Sequence, residues 1–104
     1  MLTIVEDVEE RVRQEEGGTH ADEIETSMML YIDPRSVDMS KAVKDYHPGE
    51  SPFTRTPTGK RLYSASGIFG DATLATLDKG QQVVEALVDR VLEEIEELRR
   101  ARLP

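Results

Sequence analysis

The stretch Thr19-His20-Ala21-Asp22-Glu23-Ile24-Glu25-Thr26-Ser27 sets one of the two histidines of the chain beside three carboxylates, directly ahead of the apolar Met28-Met29-Leu30. A histidine can take and give a proton near neutral pH, and a carboxylate within reach fixes its tautomer and raises its basicity. Placed where a loop runs into a helix, His20 can face a cleft while the helix behind it packs into a core. The neighbouring Asp22 and Glu23 are expected to be solvated. The other reading open to them is coordination of a hard or borderline metal ion together with His20. The second histidine, in Tyr46-His47-Pro48-Gly49, reads as part of a surface turn.

The elements that must position His20 can be traced on both sides. Thr3-Ile4-Val5-Glu6 has the form of a capping box. Ile4, Val5, Val8 and Val12 then share one stripe, predicting a helix over residues 3–16 that Gly17-Gly18 stops. Asp22 is the expected cap of a second helix running to Asp33 and ended by Pro34. Its apolar residues cover more than one stripe, so burial on several sides is expected, with Met28, Met29 and Leu30 in the core. A further helical turn is expected from Asp38 or Ser40. The stretch from His47 to Gly59 is rich in Pro, Gly, Ser and Thr and reads as a covering loop. Arg61 to Ser66 reads as a short strand, with turns at Gly67 and Gly70. Last comes the clearest periodicity: Val83, Val84, Leu87, Val88, Val91, Leu92, Ile95 and Leu98 at three- and four-residue spacing, capped by Thr76 and closed by Arg99, Arg100 and Arg102.

Composition narrows the field. In 104 residues, 21 Asp and Glu stand against 13 Lys and Arg, a formal charge of −8, which disfavours nucleic acid and anionic membranes as partners. There is no cysteine, so disulfides, thiolate metal sites and cysteine nucleophiles are excluded. No apolar run approaches a membrane span and the N-terminus lacks a signal-peptide pattern, so the cytoplasm is the expected location.

The order His20-Ala21-x-Glu23-x-Glu25-Thr26-Ser27, followed by Met28-Met29-Leu30, resembles the C-terminal signature of the creatininase family of metal-dependent amidohydrolases. Two further blocks are similar in order and spacing: Val37-Asp38-Met39-Ser40-Lys41-Ala42, and the run from Ser66-Gly67-Ile68-Phe69-Gly70-Asp71 to Lys79-Gly80. In the last of these Asp71 can cap the turn that follows, Gly67 and Gly70 allow backbone conformations closed to other residues, and Gly80 early in a helix suggests close packing against another element. Those positions look architectural.

The resemblance implies a hydroxide held between two divalent ions (Zn, Mn or Fe), attacking an amide carbon. It implies that His20 handles the proton that must reach the leaving nitrogen. Glu25 would support it, by hydrogen bonding or by holding the start of the helix in place. Asp22 stands where the signature usually has glycine, and Thr19 where creatininase itself has an acid. The family's Glu-x-His and Asn-Gly-His-x-Glu metal-binding segments do not occur in this sequence. The expectation is therefore that residues 1–104 form the C-terminal portion of a three-layer α/β/α domain, mostly helical with one or two short strands. It would bind no metal alone and act on a small-molecule amide when completed by the missing half or a second chain. Homo-oligomers are expected. The competing expectation is a non-catalytic helical module for oligomerisation or docking.

Overall fold

The computed structural model describes residues 3–48, 50, 53 and 64–102. Three α-helices carry the fold: α1 (Glu6–Val12), preceded by a 3-10 turn over Thr3–Val5, α2 (Glu23–Ile32) and α3 (Leu77–Arg100). Val5, Val8, Val12, Ile24 and Val83 form the buried core, with Ile4, Met28, Ala86 and Leu87 packed on it. Burying such aliphatic side chains contributes about 1.5–3 kcal/mol apiece.

The first helix is shorter than its apolar stripe predicts. It ends at Val12 because Arg13 turns extended, with φ −67° and ψ 132°. The next two N–H groups, of Gln14 and Glu15, donate to the Glu23 carboxylate at 2.7 and 3.0 Å instead of continuing the helical ladder. Val5, at the helix start, makes no side-chain capping bond. The Thr3 side chain, the expected cap, lies outside the described part. Gly17-Gly18 therefore does not stop the helix; it belongs to the loop that follows.

Helix α2 begins and ends as its sequence predicts. The Asp22 carboxylate accepts the Glu25 N–H, and Asp33 closes the helix before Pro34. Its burial is one-sided, however. Ile24 and Ser27 are fully buried, whereas Met29 is 41% exposed and Ile32 59% exposed, so only part of the expected core materialises. The α2–α3 crossing is tight. A Cβ on Gly80 would lie 1.8 Å from the Ser27 carbonyl oxygen, so at this point only glycine lets the two backbones meet. Ser27 Oγ donates to Glu23 O at 2.5 Å and accepts the Thr76 N–H at 3.1 Å, tying the start of α3 to α2. Thr76 in turn caps α3 through the Lys79 N–H.

The α3 stripe divides along its length. Val83 is fully buried, but Val88, Val91, Leu92, Ile95 and Leu98 are 40–76% exposed. No described element covers them.

Two short strands, β1 (Lys44–Asp45) and β2 (Gly70–Asp71), pair antiparallel, with Lys44 opposite Asp71 and Asp45 opposite Gly70. On the other side of the chain the residue before β2, Phe69, bridges to His20. The strand expected over Arg61–Ser66 is absent in its described part: Ser64 is irregular and Ala65 to Gly67 bend, while Arg61, Leu62 and Tyr63 lie outside the described residues. Pairing falls instead on Phe69–Asp71, where Lys44–Asp45 on one side and His20 on the other supply backbone partners. Of the covering loop expected over 47–59, only His47, Pro48, Glu50 and Phe53 are described. The 3-10 turn at Met39–Lys41, capped by Asp38, and the one at Ala72–Leu74, capped by Asp71, fall where expected.

Candidate functional site

His20 sits at the junction of the extended segment and α2. Its backbone is clamped to Phe69: Thr19 N and His20 N both donate to Phe69 O, at 2.8 and 3.3 Å, and Phe69 N donates to His20 O at 2.9 Å. The chain then turns sharply through Ala21, whose φ of +47° is in the left-handed region. This conformation costs a residue with a Cβ about 1–2 kcal/mol. It lets the imidazole stand clear of α2 while Asp22 caps the helix.

Glu25 holds the turn at the start of α2 and lies close to His20 without hydrogen bonding to it. One carboxylate oxygen, Oε2, accepts the Ala21 N–H at 2.7 Å and lies 3.6 Å from His20 Nδ1. At 3.6 Å the imidazole contact is an ion-pair distance and not a short hydrogen bond. Both side chains are about half exposed. Nδ1 is thus the ring nitrogen that faces Glu25.

Around this pair the surface is partly apolar. The buried Phe69 ring meets His20 edge-on at 6.4 Å between centroids and His47 at 4.7 Å, tilted. His47 is thus more than a surface turn: its ring is only 22% exposed and lies 2.9 Å from Asp45 Oδ1 through Nε2, misaligned for a hydrogen bond. Ser66, then Ser64, donate to the other Asp45 oxygen and hold its carboxyl below the usual carboxylate range. A cavity of about 410 Å³ opens beside this group, lined among others by Thr19, Tyr46, His47, Glu50 and Phe69.

Asp22 and Glu23 overturn the expectation of solvated acids, for both are fully buried. Glu23 Oε1 accepts the N–H groups of Gln14 and Glu15, and its Oε2 pairs with Lys79 Nζ at 2.6 Å. Lys79 also donates to Leu74 O and Gln14 Oε1, both at 2.7 Å. Asp22 Oδ1 accepts the Glu25 N–H, and Oδ2 takes Arg13 NH1 at 3.2 Å. Their oxygens are committed to internal partners, so the reading in which Asp22, His20 and Glu23 coordinate a metal fails on geometry. Among the described residues no group of three or more His, Cys, Asp or Glu is placed to hold a metal ion. These residues do not fit a metal centre by themselves.

Sequence reasoning missed Glu15, Arg13 and Lys79, which complete this buried network. The signal lay in Arg13, Glu15, Asp22 and Glu23 sitting within eleven residues, one cation followed by acids on both sides of a glycine pair. Gly70, at φ +153°, completes the packing: a Cβ there would come within 2.6 Å of Asp22 Cβ.

A family model described as creatinine amidohydrolase matches residues 2–95. The chain belongs to the creatininase family. A solved structure of a mutant creatininase, type II, superposes with a TM-score of 0.65 at 22% identity. It shows that the fold is creatininase-like. The alignment covers 97% of this chain and 39% of that one, so the chain spans well under half the length of this relative. No curated protein matches the chain. The helical content with its two-stranded sheet is that of part of an α/β domain. No helix among the described residues is long and apolar enough to cross a membrane.

Proposed function

We propose that residues 1–104 act as the C-terminal portion of a three-layer α/β/α creatininase-like amidohydrolase, hydrolysing a non-peptide C–N bond such as that of a cyclic amide or formamide. The rest of the domain, in the same or another polypeptide, would complete the site and hold Zn, Mn or Fe, because the described residues do not fit that task. The observation that carries the reading is His20 held at the start of α2 with Nδ1 toward Glu25 and Nε2 free to meet substrate.

In this reading water adds to the amide carbon, the C–N bond breaks, and the departing nitrogen must gain a proton. His20 Nε2 takes the proton from the attacking water and returns it to that nitrogen. Glu25 keeps the Nδ1–H tautomer and stabilises the imidazolium formed between the two transfers. The Phe69 ring and the cavity beside it supply an apolar wall for a small ring or acyl group. An acidic surface in the cytoplasm, without nucleic acid or membrane as partner, fits the charge of −8.

The exposed α3 stripe favours one other reading, a non-catalytic helical module that forms homo-oligomers. Assay of ammonia or amine release from a panel of cyclic amides and formamides separates the two. The chain is tested alone and mixed with the N-terminal segment of a creatininase that it does not cover. Release only in the mixture supports the amidohydrolase. No release in a mixture shown by mass to contain a complex supports the module.

A further inference from the structure

Glu15 touches each segment that carries His20, yet takes no part in the reaction proposed above. Its Oε2 accepts the Glu23 N–H at 3.0 Å, at the start of α2, and the Asp71 N–H at 3.0 Å, two residues beyond the Phe69 backbone that grips His20. Its Oε1 takes Arg13 NH1 at 2.6 Å, and the same NH1 reaches Asp22 Oδ2. A Cβ on Gly18 would lie 2.0 Å from Glu15 Oε1 and 2.7 Å from Asp22 Oδ2. The two carboxylates thus converge on one point, immediately before Thr19 and His20.

We propose that Glu15 is a positioning residue for His20: protonated, it closes a clamp with Asp22 and Arg13 that holds the His20 loop against β2 and α2, and ionised, it loosens that clamp.

Two carboxylates that converge on one guanidinium N–H, out of reach of water, resist ionising together. The surrounding charges do not relieve them. From α1 comes the buried Glu9, with Glu10 at 3.6 Å from Arg13 Nε. From α2 comes Glu23, whose charge Lys79 of α3 already matches. The Asp71 carboxylate of β2 is turned to Thr73. Burial, then the Asp22 carboxyl, push Glu15 up to about 7. A protonated Glu15 gives its O–H to Asp22 and keeps both backbone N–H groups; an ionised one repels Asp22 across Gly18.

The inference rests on the reading of His20 as the proton carrier, but its test requires no turnover, so the two can fail separately. The His20 ring Hε1 signal and the Glu23 and Asp71 amide signals are followed by NMR from pH 5 to 9 in the full chain, with His47→Gln used for assignment. The three signals are expected to share an inflection near pH 7, that of Glu15. Glu15→Gln keeps the volume and offers an N–H to Asp22 as the protonated acid does, so it should remove the shared inflection from all three signals. Asp22→Asn removes the lesser of the two causes and should move the shared inflection to lower pH, which covers a Glu15→Gln chain that does not fold. No inflection shared by the three wild-type signals, one that survives Glu15→Gln, or one that does not move in Asp22→Asn overturns the proposal.

Discussion

Replacing Gly80 with alanine tests the α2–α3 crossing on which the placement of His20 depends. By helix propensity alone the change should stabilise α3 by about 1 kcal/mol. The structure predicts the opposite sign. The new Cβ would stand 1.8 Å from Ser27 O and 2.4 Å from Ser27 C, both backbone atoms of a fully buried residue that cannot swing aside. Ordinary contact needs roughly 3.4 Å or more, so the helices must part by well over an ångström. Separation on that scale strains the Thr76 N–H to Ser27 Oγ bond and the Lys79–Glu23 pair, both of which span the crossing. Overpacking costs about 1–3 kcal/mol and each strained buried polar bond about another 1–3 kcal/mol, against the propensity gain. The net expectation is a loss on the order of 3 kcal/mol. Urea unfolding followed by far-UV circular dichroism measures it, with Gly17→Ala as control, where no atom lies within 4 Å of the added Cβ. A Gly80→Ala chain as stable as wild type, with Gly17→Ala unchanged, would refute the packing argument.

Further substitutions probe the site and the packing that supports it. Lys79→Met leaves the fully buried Glu23 carboxylate without its cation and should cost about 3–5 kcal/mol in chemical unfolding; adding Glu23→Gln should restore part of it, as a double-mutant cycle reveals. Ala21→Gly releases a left-handed backbone from its Cβ and should stabilise by about 1 kcal/mol, read from the same curves. Arg90 pairs with Asp7, chiefly through a hydrogen bond, and lowers its carboxyl to about 2 from 3.8. A depressed acid contributes stability that is present above its unfolded pKa and lost as pH falls through the folded one. Asp7→Asn should therefore lower the melting temperature at pH 6, and the difference from wild type should vanish between pH 4 and 2.

How much was legible from sequence depended on whether the controlling contact was local. The caps Asp22, Thr76 and Asp71 and the α3 periodicity are short-range signals, and each appears where its spacing places it. Gly80 was readable as a close approach because glycine in a helix is otherwise unfavourable. The fate of Asp22 and Glu23 was not legible. An acid near a loop is solvated by default, and only the chain reversal that brings Arg13 and Lys79 alongside makes burial tolerable. The same reversal cut α1 short, because a carboxylate eight or nine residues away replaced the helical acceptors of Gln14 and Glu15. His20 and Glu25 were found from residue type and order. Their meeting at 3.6 Å also depended on the left-handed Ala21, which carries no sequence signal of its own.

The most direct measurement is amide hydrolysis by the reconstituted complex carrying His20→Ala, with metal content and complex mass determined on the same sample. Proton transfer by His20 predicts that turnover falls at least a hundredfold while metal and mass match the wild-type complex. Turnover retained at the wild-type rate would contradict it.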